Sequence, residues 1–245
     1  MSQSILTRSL QVIDAVSTSE QGLRYSHIAQ ELGHPSPATV TKILKELTRN
    51  NVLKKTESGR YTLGRRTYFW GRTMAAKNTT IQIIRSAMDT LHQEFRASVN
   101  VFTCIDQRMF CLESIMNPES PALWPAGKSL ALHLSVMGAV FFIPEDKLQD
   151  ESFLQQEIAG HEEDLDLASV QEMIAETRTS GLQDDKGLFF PGMRRLAVPL
   201  REKGVPLMVL GLGVMPLRVQ RRPELLDQLI QRLKSTQKDI ESFLN

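Results

Sequence analysis

A chain of 245 residues, 41% hydrophobic and 23% charged, has the make-up of a globular protein, which excludes wholesale disorder and leaves room for one large domain or two ordinary ones. The net charge of +1 hides an asymmetry: residues 1–77 carry twelve Lys and Arg against five Asp and Glu, a surplus of +7, and the remainder is −6 overall. A basic head on an acidic body points to a polyanionic partner for the head alone.

Two cysteines, Cys104 and Cys111, exclude a disulfide framework and fit a reducing compartment. No cationic stretch followed by an apolar core opens the sequence, so no signal peptide is expected. The longest apolar run, Leu207 to Met215, is too short to span a bilayer. A cytoplasmic protein without membrane contact is the expectation.

In chain order, Leu6, Leu10, Ile13 and Val16 recur at helical spacing, predicting an amphipathic helix over residues 4–18 that Glu20-Gln21-Gly22 ends. A second short helix follows, with Ser26 as its N-cap and Ile28, Ala29 and Leu32 inward. Gly33-His34-Pro35 forces a turn, and Ser36-Pro37 starts a third helix whose inner face is Val40, Ile43, Leu44 and Leu47. Residues 52–56 and 60–63, joined around Gly59, form a β-hairpin. A basic helix with Tyr68, Phe69 and Trp70 leads to a domain boundary near residue 77, giving domains 1–77 and 78–245.

Ile81, Ile84, Met88, Leu91 and Phe95 mark a long helix, and the stripe Ile81, Ile84, Met88 and Leu91 with the aromatics of residues 65–77 is more apolar surface than one small head can bury, so a second copy of the chain is expected to cover it. Residues 98–105 and 108–116 pair as strands around Asp106-Gln107, residues 133–143 and 167–180 are helical, 193–201 and 206–215 are strands, and 223–244 is a closing helix. The fold class is α+β.

Helix, helix, Gly-containing turn, helix, hairpin is the order of a winged helix-turn-helix, which turns an apolar stripe of its third helix inward and offers the opposite side to the major groove. Here the outward positions are Ser36, Ala38, Thr39, Thr41, Lys42 and Lys45, small, hydroxylated or basic as close approach to base edges and phosphates requires. Lys54, Lys55 and Arg60 of the hairpin are placed for flanking phosphates. Double-stranded DNA is the expected partner of the head. A winged helix used for protein contact is the alternative.

At this point the sequence resembles the isocitrate lyase regulator (IclR) family of transcription regulators. Arg8-Ser9-Leu10 with Val12-Ile13 is similar to the family's opening helix motif, which places Arg8 with the DNA-binding residues. Thr39, Val40, Lys42, Leu44 and Leu47 are similar to its recognition helix, and Tyr61-Thr62-Leu63-Gly64 to its wing ending. Gly127, Leu132-His133, Ser135 and Gly138 resemble the segment beside its ligand pocket; Gly181, Asp184-Asp185, Gly192 and Leu196-Ala197-Val198-Pro199 resemble the run into its central strands. The resemblance implies a C-terminal GAF-like α/β effector-binding domain, a homodimer or tetramer, and control of genes for catabolism of small carboxylic or aromatic compounds. The chain departs from the family pattern at Lys42, where Arg is usual; at Gly138-Ala139, where Gly-Lys is usual; at Arg195, where a small polar residue or Cys is usual; and at Gly211 and Gly213, where two serines are usual.

Alternation along the strand from Met193 puts Leu196, Val198 and Leu200 on one face and Met193, Arg195 and Ala197 on the other, the face the resemblance turns toward the pocket. A guanidinium there is expected to hold a carboxylate effector in a bidentate pair, with Gly211 and Gly213 leaving room for the ligand body and Trp124 beside it. The pocket residues are therefore Trp124, Gly127, His133, Ser135, Asp185, Met193, Arg195, Gly211 and Gly213. The bland alternative pairs Arg195 with Asp184 or Asp185 for structure alone, and a register shift by one would give the role to Arg194.

Other chemistries fare worse. The five histidines, His27, His34, His92, His133 and His161, show no metal-ligand spacing; His133 is expected to be a hydrogen-bonded residue at a helix start. Cys104 and Cys111 lie diagonally on one sheet face and are expected to be structural. No phosphate loop, nucleophile elbow or dinucleotide fingerprint is present, so no cofactor and no catalysis are expected, and an enzyme carrying a winged-helix appendage is the rival reading. The acidic run at 162–164 is a solvated loop or helix start.

Overall fold

The computed structural model describes residues 4–119, 124–159 and 165–244; His161 and the acidic run at 162–164 lie outside them. The chain divides into two units, residues 1–79 and 80–245.

The first unit holds α1 (Ile5–Ser17), α2 (Tyr25–Glu31), α3 (Pro37–Arg49), β1 (Leu53–Lys55), β2 (Tyr61–Leu63) and α4 (Arg65–Lys77), a winged helix-turn-helix. Helix α1 is capped by Ser4, whose hydroxyl accepts from the Thr7 amide. It buries Val12 and Val16, while Leu6 and Leu10, expected inward, are 71% and 53% exposed. At 100° per residue they fall about 100° and 140° from the middle of the Val12–Val16 stripe, so the apolar spacing gives the helix and the burial of Val16 but not the outward turn of Leu6 and Leu10.

Ser26 does not cap α2. Leu23 is held extended by paired backbone hydrogen bonds with Tyr61, so the helix starts at Tyr25 after Arg24 and Ser26 lies inside it. Helix α3 begins as expected, with Ser36 accepting from the Thr39 amide, Pro37 in the first turn, and Val40, Ile43 and Leu44 buried against Ile28, Leu32 and Leu53. In the hairpin Leu53 faces Leu63 and Lys55 faces Tyr61. Gly64 closes it because the chain passes so near the preceding turn that a Cβ there would sit 2.2 Å from the Asn51 carbonyl oxygen.

The second unit is a six-stranded antiparallel sheet in the order β5-β4-β3-β8-β7-β6, with helices on both faces. Along the chain it runs α5 (Thr79–Phe95), β3 (Ser98–Ile105), β4 (Arg108–Ile115), β5 (Ser129–Ala131), α6 (Glu145–Leu148), α7 (Glu151–Ala159), α8 (Leu167–Ser180), β6 (Gln183–Asp184), β7 (Arg194–Glu202), β8 (Val205–Val214), α9 (Pro216–Arg221) and α10 (Pro223–Leu244). On one face, Ile84, Met88 and Leu91 of α5 and Leu229, Leu233 and Ile240 of α10 cover Val99, Val101, Leu196, Val198, Leu210 and Leu212. Residues of α10 also satisfy the outer edge of β7 where β6 stops: Gln237 donates to the Pro199 carbonyl and Glu241 accepts from the Arg201 amide. On the other face, Phe102, Met109, Cys111, Ala197 and Val209 meet Leu134, Met137 and Val140 and the inner sides of α7 and α8.

Two expectations are corrected here. Residues 133–143 are not a helix but a run of turns with a single 3-10 turn, Ala139–Phe141. Gly138 breaks it with φ +81°, lying so close to β8 that a Cβ would meet Val209 at 2.2 Å, and its amide donates to the buried Gln183 side chain at 2.6 Å. Of the stripe expected to help join two copies, Ile84, Met88 and Leu91 are instead buried in the core of their own unit. No helix among the described residues is long and apolar enough to cross a membrane.

Candidate DNA-binding face and ligand pocket

In the first unit, α3 is oriented by its neighbours: Val40, Ile43 and Leu44 fix its inner side, and the Tyr25 hydroxyl donates to the Pro37 carbonyl at its start. Ala38, Thr41, Lys42 and Lys45 are all exposed, and at 100° per residue they span an arc of about 100°. Ser36 is exposed at the cap, and its hydroxyl shares a 2.8 Å hydrogen bond with that of the half-buried Thr39. Thr39 is thus committed to the cap, which leaves Thr41 as the open hydroxyl of this face.

Lys54 and Lys55 are exposed on the hairpin, Lys55 with its ammonium 5.7 Å from the Tyr61 ring centre. Thr41, Lys45 and Thr48 of α3 together with Lys55 and Tyr61 line a recess of about 410 Å³. Arg60 is half-buried, its Nη1 donating to the Gly22 carbonyl at 2.9 Å, so it braces the hairpin against the α1–α2 turn. Arg8 is half-buried on α1, with Nε enclosed and without a hydrogen-bond partner among the described residues.

Sequence reasoning passed over Arg49, Arg65 and Arg66, which with Asn50, Asn51 and Phe69 line a second recess of about 450 Å³. The Arg65-Arg66 pair straight after the wing was the available signal. On α4 no residue is buried, and Tyr68, Phe69, Trp70 and Met74 are 50–73% exposed.

In the second unit, Arg195 and Asp185 are each 1% exposed. Asp185 reaches Arg195 twice: one carboxylate oxygen accepts from Nε, the other from the Arg195 amide at 2.7 Å and from the Gly187 amide at 3.1 Å. Nη1 donates to the Ser135 carbonyl at 2.7 Å, and the guanidinium lies 4.7 Å from the Phe190 ring centre and 5.7 Å from that of Phe189. Nη2 is buried with no hydrogen-bond partner among the described residues. Arg194 points elsewhere and pairs with Asp184, whose hydrogen bonds raise its pKa.

Of the two partners considered for Arg195, the fold selects Asp185. The side-on fork through Nε is taken by Asp185, which balances the charge, while one Nη1 hydrogen goes to the Ser135 carbonyl.

The room expected over Gly211 and Gly213 is filled. Cβ atoms there would meet the Met137 side chain at 2.6 Å and the Met193 sulfur at 3.0 Å, so two thioether chains occupy the space over these glycines. Trp124 is half-buried; its ring packs with the Phe102–Met137 cluster and its carbonyl accepts from Asn100 at 2.8 Å. His133 is hydrogen-bonded to the Ser135 hydroxyl at 2.8 Å, with Glu157 3.4 Å away, and it is the Ser135 carbonyl that reaches the guanidinium. Gly127 is exposed in the turn before β5 with φ +86° and no atom within 4 Å of where its Cβ would be, so it shapes that turn.

Met137, Phe189, Phe190 and Asn100 were missed. Asn100, a buried amide in an apolar strand, and the Phe189-Phe190 pair ahead of Gly192 were the signals in the sequence. Burial pushes the Cys111 thiol up to about 11 and raises that of Cys104 as well, which suits packing and not redox chemistry.

No protein-family model and no curated relative matches the sequence. Solved structures do. An ICLR transcriptional regulator from a Silicibacter species superposes with a TM-score of 0.78 at 16% identity, over 98% of this chain and 96% of that one. An IclR transcriptional regulator from Alicyclobacillus acidocaldarius gives 0.75 at 17% identity over the whole of both chains. An IclR homologue from Microbacterium hydrocarbonoxydans, complexed with 4-hydroxybenzoate, gives 0.68 at 17% over 98% and 99%. At such identities the likeness establishes the fold: the chain is built, end to end, like these regulators.

Proposed function

We propose that the protein is a transcription regulator that binds a double-stranded DNA operator through α3 and the β1–β2 wing and responds to a small-molecule effector received by the second unit. The observation that carries this is the outward side of α3: Ala38, Thr41, Lys42 and Lys45, small, hydroxylated or basic, beside Lys54 and Lys55, on a unit whose surplus charge is positive. The shared fold with IclR regulators supports the reading, and the neighbour that holds 4-hydroxybenzoate supports an aromatic effector and catabolic target genes.

One recognition helix covers only a few base pairs, so useful affinity needs two heads on symmetric half-sites. The exposed aromatics of α4 and Ile5, Leu6 and Leu10 of α1 are apolar surface that a second copy would cover, giving a homodimer that can pair again into a tetramer. The protein acts in the cytoplasm by binding, without catalysis; the effector shifts DNA affinity by favouring one of two states of the paired heads.

The test is a salt titration of DNA affinity. Affinity falls steeply with salt, and Lys45→Ala weakens every duplex and lowers the slope by about one unit. Thr41→Ala chiefly changes which duplexes are preferred. Affinity indifferent to salt would remove DNA from the account.

A further inference from the structure

The Arg195 guanidinium is enclosed, yet only two of its three nitrogens have partners among the described residues: Nε has Asp185, Nη1 has the Ser135 carbonyl, and Nη2 has none. A buried donor left unmade is costly, and here it belongs to a charged group whose ring neighbour Phe190 offers only a π face. Sites that leave such a donor open complete it with a ligand or a water.

What the ligand must bring follows from three further facts. Asp185 takes the Nε hydrogen and the Ser135 carbonyl one of the two on Nη1, so both Nη2 hydrogens are open to an acceptor and the side-on fork through Nε is closed to a carboxylate. The positive charge is already balanced, because Asp185 is buried to the same degree and receives Nε. The other nearby cations are spent on their own acids, Arg194 on Asp184 and Lys186 on Glu176, while His133 sits beside Glu157. A carboxylate at Nη2 would therefore be a surplus buried anion with no cation to pair it. The apolar part of the site is equally defined: over Gly211 and Gly213 of β8 the nearest atoms are those of the Met137 and Met193 side chains, which have three rotatable bonds each and are suited to moving aside.

We propose that the effector presents one uncharged oxygen acceptor, an amide, ketone or phenol oxygen, to Nη2 of Arg195 and lays its apolar body over Gly211 and Gly213 in place of the Met137 and Met193 side chains. This rests on the reading that the second unit receives an effector, and it replaces the carboxylate with a neutral polar end.

The experiment uses the full chain and matched probes: benzamide, acetophenone and phenol against benzoate, and phenylacetamide against phenylacetate, followed by thermal shift and calorimetry. The neutral members bind at least tenfold more tightly than their carboxylates. Arg195→Lys keeps a cation for Asp185 and removes Nη2, and it lowers benzamide affinity at least tenfold. Gly211→Ala leaves Arg195 untouched, puts a methyl where the body lies, displaces only the flexible end of Met137, and lowers it similarly.

Tighter binding of the carboxylates, or unchanged benzamide affinity in both variants, overturns the proposal while leaving an effector site in place. Failure of all probes overturns it too, and a metabolite screen read out by DNA affinity then separates the cases. A compound that alters DNA affinity preserves the regulator reading, and none doing so sinks that reading as well.

Discussion

Replacing Asp185 with Ala removes a carboxylate that accepts from Arg195 Nε, the Arg195 amide and the Gly187 amide. The guanidinium left behind is buried and uncompensated, a loss of roughly 3–5 kcal/mol. The two amides add about 1 kcal/mol each. The sum, roughly 5–7 kcal/mol, rivals the whole stability of an ordinary domain. The double change Asp185→Leu with Arg195→Met removes both charges, leaves only the two amides short, and costs about 2 kcal/mol. The pair is thus strongly coupled, and the double variant is the more stable of the two.

Urea unfolding read by Trp124 fluorescence measures this, with Trp70→Phe as background so that only the second unit reports. At about 2 kcal/mol per molar urea the single variant shifts the midpoint down by 2 M or more and the double by about 1 M. A single variant within about 1 kcal/mol of the parent refutes the argument, for it would mean that water reaches the guanidinium and no desolvated pair exists.

Three other outcomes are expected. Gly64→Ala drives a Cβ into the Asn51 carbonyl and destabilises the first unit by about 1–3 kcal/mol, seen as an earlier thermal transition of Trp70 fluorescence. Holding the Cys111 thiol neutral stabilises the native state fully below the ordinary thiol value of 9.0, and this is lost as pH rises through about 11. Cys111→Ala therefore flattens the alkaline fall in stability across that window, and at pH 8 an alkylating reagent marks Cys104 first. Changing Phe69 and Trp70 together to Ser removes exposed aromatic surface and lowers the assembled mass seen by light scattering at micromolar concentration; an unchanged mass places the interface elsewhere.

Helix α10 and the hairpin around Asp106-Gln107 were legible in the sequence, because a long amphipathic repeat and two apolar runs around a polar pair leave few alternatives. Helix α1 was legible as a helix but not in orientation: Leu6 and Leu10 fit the period, and only the tertiary core decides that Val12 goes inward with Val16 and they do not. Residues 133–143 misled because an apolar run is compatible with any buried segment, and the close approach of Gly138 to Val209 is a long-range fact. The strand alternation that put Arg195 opposite Leu196 and Val198 was readable from period two. Which acid would meet it was not, since Asp184 and Asp185 are adjacent and the register of β6 against β7 decides between them. The occupants of the space over Gly211 and Gly213 come from Met137 and Met193, distant in sequence and unremarkable by type.

The central claim is that the paired heads read DNA sequence, and selection from a library of random-sequence duplexes by the full chain tests it most directly. The account predicts enrichment of an inverted repeat whose half-sites lie whole helical turns apart, with Thr41→Ala enriching a different half-site. Recovery of unenriched duplexes, or none at low salt, would contradict it.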